Sequence, residues 1–167
     1  MMTPGLVSVV ICAYNNWPDL ELAIHSALHQ SYQPIEVIVV DNSSTDATQE
    51  EVPRLFGGAV RYIRQPNTGD SGAYNTGMRI AKGEFLQFMD GDDFIAPNKI
   101  EKQMAMFRAN PMADIVYGDT RRFQSLPGLV QRQWRDVDME DYDDILAVLD
   151  AFGGISGDAY CPPPCHP

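Results

Sequence analysis

A chain of 167 residues with 44% apolar and 21% charged side chains has the composition of one globular domain, which excludes collagen, a coiled coil and wholesale disorder. Its 23 acidic residues against 12 basic ones give a net charge of −11. That excludes a non-specific nucleic-acid binder, yet it leaves room for an anionic ligand held by backbone amides and a bound cation.

In chain order, the β-branched run at 7–12 predicts a buried strand that contains Cys12. Asn16, Pro18 and Asp19 are helix-start residues, and Leu20, Ile24, Ala27 and Leu28 follow at helical spacing. A second buried strand at 35–40 stops at Asp41. The polar turn 42–46 can cap a helix from 47 to about 55. A third strand is predicted at 60–63, then a Gly-rich entry and a helix over 69–81. A fourth strand at 85–89 runs into Asp90-Gly91-Asp92-Asp93. Pro97 opens a helix with Ile100, Met104 and Phe107 on one face, and a fifth strand is predicted at 115–117.

Alternation of strand and helix from 7 to about 117 predicts an α/β fold, a mostly parallel sheet with helices on both faces. Ligands of such sheets bind outside the carboxyl ends of the strands. Three polar clusters fall there: Tyr14-Asn15, Asp41-Asn42-Ser43 and Asp90-Gly91-Asp92. Past 118 the pattern weakens. Trp134 lies in a mixed stretch, and 136–144 is acidic and reads as a solvated helix start rather than a metal site. A helix is expected over 145–152, before a Gly/Pro-rich tail at 153–167.

Asp90 and Asp92, one residue apart at a strand end, can share Mg²⁺ or Mn²⁺ through oxygen ligands. Gly91 is expected to leave room for a bulky ligand, although an Asp-Gly turn alone is common. Asp41 can accept a hydrogen bond from a base N–H or cap the next helix, and Tyr14 can stack on a base or pack at a strand end. Asn67-Thr68-Gly69-Asp70-Ser71-Gly72 is similar to a phosphate-type glycine loop or to a bare turn before a helix. The chain has no Walker ending, and no G-x-G-x-x-G follows the first strand, which argues against a P-loop nucleotidase and a dinucleotide dehydrogenase. His25 and His29 could form a metal pair, but a surface or groove position is favoured. Cys161 and Cys165 beside His166 have the wrong spacing for a zinc knuckle. The first residues carry no basic leader and no stretch reaches membrane-spanning length, so the expectation is a reduced, cytosolic protein or a cytosolic piece of a larger one.

In order and spacing, 7–15, 36–46, 67–69, 73–77 and 81–93 together resemble glycosyltransferase family two. The resemblance covers roughly 6–120. It implies a GT-A fold and transfer of a sugar from a nucleoside-diphosphate sugar, a UDP-sugar being favoured, to a hydroxyl of a glycan, lipid-linked or other acceptor. By the same resemblance Tyr14 and Asp41 bind the base, with Ala13, Asn15, Ser43, Asn67, Gly69, Asn75 and Gly91 lining the nucleotide pocket. Asp90 serves the ribose or the metal shell, and Asp92 ligates Mn²⁺ or Mg²⁺ on the diphosphate. Tyr74 stands where the family usually has Arg or Lys, with Arg64 or Arg79 as stand-ins. The family's general base has no counterpart before Pro167, so it is expected beyond that residue, and Asp158 is the only acid in the tail. The resulting picture is a donor-binding core at 1–120 and the start of an acceptor-side region at 121–167, cytoplasmic or peripheral at the inner face of a membrane, with self-association through apolar surface near 145–152. The competing readings are a catalytically inert nucleotide-sugar-binding or interaction domain, and a nucleotidyltransferase, whose Gly-rich basic loop is replaced here by Tyr14-Asn15-Asn16-Trp17.

Overall fold

The computed structural model describes residues 2–118. The expectations for 121–167, including Trp134, the acidic stretch, the helix at 145–152, Asp158, and Cys161, Cys165 and His166, lie outside the described residues. Two compact units divide the chain, at 1–100 and 101–167.

The first unit holds strands β1 (Thr3–Ala13), β2 (Ile35–Asp41), β3 (Val60–Arg64) and β4 (Gly83–Asp90), with helices α1 (Asp19–Leu28), α2 (Thr48–Phe56) and α3 (Gly69–Ile80). A short 3-10 turn at Gly57–Ala59 leads into β3. Helix α4 (Lys99–Ala109) begins at the end of this unit.

The strands lie in the order β3-β2-β1-β4 and every pair is parallel. Parallel strands need crossovers, and right-handed crossovers put α1 and α2 on one face and α3 on the other. The packing agrees. Val10, Cys12, Ile38 and Val40 form one cluster with Ala73 of α3. The alternate residues Val9, Ile11, Val37 and Val39 are also buried, as are Leu20, Ile24 and Ala27 of α1. This double burial is why β1 and β2 read as continuous aliphatic runs. Gly77 allows α3 to approach β1, since a Cβ there would stand 2.2 Å from Val10 Cγ1.

The chain reaches one neighbour of β1 by moving toward β3, and the other by doubling back through α3 to β4. The β1/β4 boundary is therefore the switch point of the sheet, where ligands of doubly wound folds settle. Across it, Cys12 pairs with Asp90, while on the other side Ala13 pairs with Asp41.

The expected fifth strand is not formed. Ile115 and Tyr117 are 80% and 86% exposed, and the Val116 carbonyl accepts the Gln103 Nε2 amide at 3.2 Å instead of a strand partner. Three apolar residues do not make a strand unless a sheet edge pairs with their backbone.

The loop that follows β4 is tied down by α1. Buried Gln30 donates from Nε2 to the carbonyls of Ser26 (3.0 Å) and Ala96 (2.8 Å) and accepts the Ile100 amide on Oε1 at 3.1 Å. Ser26 Oγ accepts the Ile95 amide at 3.2 Å. Gln30→Ala would leave the Ile100 amide and the Ser26 carbonyl unsatisfied, while the Ala96 carbonyl keeps the Lys99 amide. We expect it to lower the free energy of unfolding by about 2–3 kcal/mol, at about 1–3 kcal/mol for each group orphaned. Urea denaturation of both proteins measures this, and a change below 0.5 kcal/mol would show that water replaces the side chain.

Candidate functional site

The carboxyl ends of β1, β2 and β4 and the start of α3 meet at one edge of the first unit. The last residue of β2 is Asp41, fully buried. Its Oδ1 accepts the Ser44 amide at 2.7 Å and its Oδ2 accepts the Tyr62 hydroxyl at 2.6 Å, with Arg64 Nε 3.8 Å away. Register explains the cluster. Arg64 pairs with Asp41 and Tyr62 with Val39, so both project to the same face as Asp41. Burial first, then the bond to Asp41, holds the Tyr62 phenol above its ordinary pKa. A carboxylate has about four acceptor sites, so acceptor positions remain on Asp41, although none of its surface is open to solvent in this structure.

Asp90 ends β4 and is exposed. Its strand partner Cys12 belongs to the cluster under α3, so Asp90 projects to the face opposite Asp41. There the Tyr74 hydroxyl donates to Asp90 Oδ1. The Tyr74 ring lies edge-on to Phe88, with centroids 5.1 Å apart. Burial, and after it the bond to and charge of Asp90, keep the Tyr74 phenol protonated. Asp92 and Asp93 follow, both exposed, and the Asp93 amide donates to the Asp90 carbonyl at 3.2 Å to close the turn. Burial, then the charges of Asp90 and Asp92, raise the Asp93 pKa, which marks three carboxylates crowded in one loop. Among the described residues no three His, Cys, Asp or Glu side chains converge as a metal cage. Exposed Asp90 and Asp92 fit a divalent cation that takes its remaining oxygens from water and a phosphate ligand.

Gly91 has a packing reason within the chain itself. A Cβ there would meet Asn16 Nδ2 at 2.1 Å and the Cys12 carbonyl at 2.8 Å, so the space beside it is filled by the chain's own Asn16. Gly72 is similar: a Cβ would stand 2.1 Å from Thr68 Oγ1. Gly69 faces open space at φ +74°, a conformation that favours glycine.

The loops after β1 and β2 clasp each other. Tyr14 is 51% exposed at the tip of β1. Asn15, at φ 52°, accepts the Thr45 amide on Oδ1 at 2.7 Å, and its own amide donates to Ser44 Oγ at 3.0 Å. Asp46 accepts the Trp17 amide (2.9 Å) and, in the turn before α2, the Thr48 amide (3.1 Å), while the N-cap position itself is Ala47, which has no side-chain cap bond. The Ala13 carbonyl accepts the Asn42 amide at 2.8 Å. Ser43, at φ 66°, donates from Oγ to the Gln65 carbonyl at 2.8 Å. Asn67 Oδ1 accepts the Gly69 amide at 3.0 Å, and Asn75 is exposed on α3. Ala13, Asn15, Ser43, Asn67 and Gly69 thus share the edge by shaping its loops.

Sequence reasoning missed Gln65 and Tyr62, which help assemble this edge. Gln65 Nε2 donates to Asn42 Oδ1 and Thr68 Oγ1, both at 2.8 Å, and Asn42 Nδ2 donates to the Gly69 carbonyl at 3.1 Å. Tyr62 falls inside the strand predicted at 60–63, and its hydroxyl reaches Asp41. The available signal was position: Gln65 directly follows a strand, where a polar side chain meets the loops of its neighbours. Arg64 lies at Asp41 and donates from Nη2 to the Ser44 carbonyl at 3.0 Å, away from the Tyr74–Asp90 pair on the opposite face. Among the described residues His25 and His29 gather no third metal ligand. His25 sits edge-on to Phe56 and His29 Nδ1 bonds the His25 carbonyl at 2.9 Å.

Asp70 of α3 approaches Cys12, with Sγ 3.7 Å from Oδ1. Burial and the Asp70 charge push the Cys12 thiol up to about 12, so Cys12 is a neutral packing residue and not a nucleophile.

A sequence model described as glycosyl transferase family 2 matches residues 8–155. A glycosyltransferase of Rickettsia bellii is 38% identical over 115 residues, covering 68% of this chain and 17% of that protein. The Escherichia coli UDP-Glc:alpha-D-GlcNAc-diphosphoundecaprenol beta-1,3-glucosyltransferase WfaP is 37% identical over 100 residues, covering 59% of this chain and 40% of its own length. The matched region therefore spans less than half of either relative. Among solved structures, Staphylococcus aureus TarS 1-349 in complex with UDP-GlcNAc superposes with a TM-score of 0.54 at 26% identity, over 63% of this chain and 32% of that one. Mannosyltransferase PcManGT from Pyrobaculum calidifontis, in complex with GDP-Man and Mn²⁺, superposes with a TM-score of 0.56 at 28% identity over the same shares. These matches bear out the parallel α/β sheet of GT-A type expected from the sequence.

Proposed function

The chain belongs to glycosyl transferase family 2, and from that membership we propose that it is the donor-binding part, over about 1–120, of an enzyme that moves a sugar from a nucleoside-diphosphate sugar to an acceptor hydroxyl. The observation that carries this reading is the register at the switch point. Asp41 and Asp90 flank the end of β1 one residue apart, on opposite faces of the sheet. A nucleotide lying over the edge of β1 would reach Asp41 with its base and Asp90 with its ribose.

In this reading exposed Tyr14 stacks on the base, and Asp41 accepts a base N–H with the capacity left beside Ser44 and Tyr62. Asn15 and Ser43 hold the walls of the base pocket. Asp90 accepts a ribose hydroxyl or completes the metal shell, and Asp92 holds Mn²⁺ or Mg²⁺. When bound, the cation neutralises the departing diphosphate and eases cleavage of the anomeric C–O bond. A UDP-sugar is the favoured donor, in keeping with the donor named for the Escherichia coli relative and the UDP-GlcNAc bound by TarS. The acceptor class is a glycan or lipid-linked hydroxyl in polysaccharide assembly. No helix among the described residues is long and apolar enough to cross a membrane. As part of the same proposal, the protein works in the cytoplasm or at the inner face of a membrane.

Calorimetry of UDP and GDP, each in Mn²⁺ and in EDTA, tests the proposal. We expect UDP to bind at least about 10-fold tighter with Mn²⁺, a difference of about 1.4 kcal/mol. Equal affinity in EDTA would remove the metal from the scheme, and no binding of either nucleotide would remove the donor site.

A further inference from the structure

We propose that Tyr74 is a positioning residue that fixes the Asp90 carboxylate at the switch point without neutralising its charge, an inference that rests on the donor-site reading above. Asp70 and Tyr74 stand four residues apart on α3 and so share one helix face. Asp70 meets Cys12 at the end of β1, and the Tyr74 hydroxyl donates to Asp90 Oδ1 at the end of β4. The one face therefore spans the two strands that border the crevice.

Two anchors determine where the Tyr74 hydroxyl stands. Its ring rests edge-on against Phe88, two residues before Asp90 on the same face of β4. Its backbone is held by the seating of Ala73 and Gly77 on the Val10 region of β1. Asp90, by contrast, is exposed, and without a partner its carboxylate would sample several rotamers. The bond to Oδ1 selects one of them and leaves Oδ2 to complete the shell of a bound cation, the role of Asp90 that this inference takes. A phenol donates one hydrogen bond and brings no positive charge, whereas Lys or Arg would bring one. Tyr74 thus places no positive charge beside Asp90, and preorganisation of this kind strengthens binding without adding a contact.

The test is a double-mutant cycle of Tyr74→Phe and Asp90→Asn in the full chain, with UDP and Mn²⁺ as probes. Calorimetry is run in Mn²⁺ and in EDTA, and the thermal midpoint is recorded for each variant. Tyr74→Phe retains the ring against Phe88, so the midpoint should stay near the wild-type value. We expect it to weaken UDP binding in Mn²⁺ by about 10-fold, the lower end of losses seen when a residue supporting a metal ligand is removed, and to leave binding in EDTA unchanged. The double variant should bind no more weakly than Asp90→Asn alone, because the hydroxyl acts through that carboxylate. Wild-type affinity in Tyr74→Phe, or an equal loss in EDTA and in Mn²⁺, would overturn the inference while the donor site stands. Failure of the wild-type chain to bind UDP or GDP at all would overturn the donor reading and this inference together.

Discussion

Asp92→Ala is expected to abolish the gain in UDP affinity that Mn²⁺ confers, while the folded protein remains as stable as the wild type. Asp92 is exposed in the loop after β4, and substitutions at such positions usually change stability by less than about 0.5 kcal/mol. Its expected effect on binding is much larger. The chain carries a net charge of −11, and the edge that would receive a diphosphate already holds Asp70, Asp90, Asp92 and Asp93. Two like charges 4 Å apart repel by about 1 kcal/mol in bulk water and about 4 kcal/mol near a protein surface, so several carboxylates facing a diphosphate oppose binding strongly. A divalent cation reverses that sign only if the protein supplies a ligand to hold it. Losing a residue that merely supports a metal ligand costs about 10–100-fold in metal affinity, and losing the ligand itself should cost more than about 100-fold. Calorimetry of UDP in Mn²⁺ provides the measurement. Asp136→Ala, which removes the same charge elsewhere in the chain, serves as the control and should bind as the wild type does. Retention of wild-type affinity in Asp92→Ala would show that the metal, if used, is held elsewhere.

Asp41→Ala should act on stability and affinity together. The side chain is fully buried and accepts from the Ser44 amide and the Tyr62 hydroxyl, with Arg64 close by. Removing it orphans two donors at about 1–3 kcal/mol each, so unfolding should become easier by about 2–5 kcal/mol. If the same carboxylate reads the base, UDP binding measured well below the lowered midpoint should weaken by a further 1–3 kcal/mol, about the size of a lost charge-assisted hydrogen bond. Tyr62→Phe separates the two effects. It removes one donor and keeps the carboxylate, so it should cost about 1 kcal/mol of stability and leave affinity nearly unchanged. A stability loss in Asp41→Ala with untouched affinity would make the residue a structural cap for the loop and nothing more.

Much of this edge could be read without coordinates because its physics is local. The aliphatic runs that become β1 and β2 are buried on both faces, and such runs have few alternatives to a central parallel strand. Each stops at a residue that cannot continue it cheaply, so Tyr14, Asp41 and Asp90 were placed at strand ends by pattern alone. The family resemblance was legible for the same reason, since its motifs are short and sit at those ends. Where local pattern was the only support, it failed. Residues 115–117 have strand composition, but their backbone found a glutamine side chain instead of a sheet edge. Gly91 also has a packing reason that its sequence context cannot show, since its neighbours across the fold are Asn16 and the Cys12 carbonyl.

By itself the sequence determined the element order, the parallel class and the residues that gather at the carboxyl edge, because strand period, crossover handedness and turn chemistry act over a few residues. Only the tertiary structure decided which face each acid occupies and what holds it. The orientation of a side chain at a strand end depends on register with neighbours 23 to 78 residues away, as Cys12–Asp90 and Asp41–Arg64 show. A one-residue slip would move Asp41 or Asp90 to the opposite face. The Tyr62 and Arg64 clamp on Asp41 and the Tyr74 bond to Asp90 exist only once that register is set.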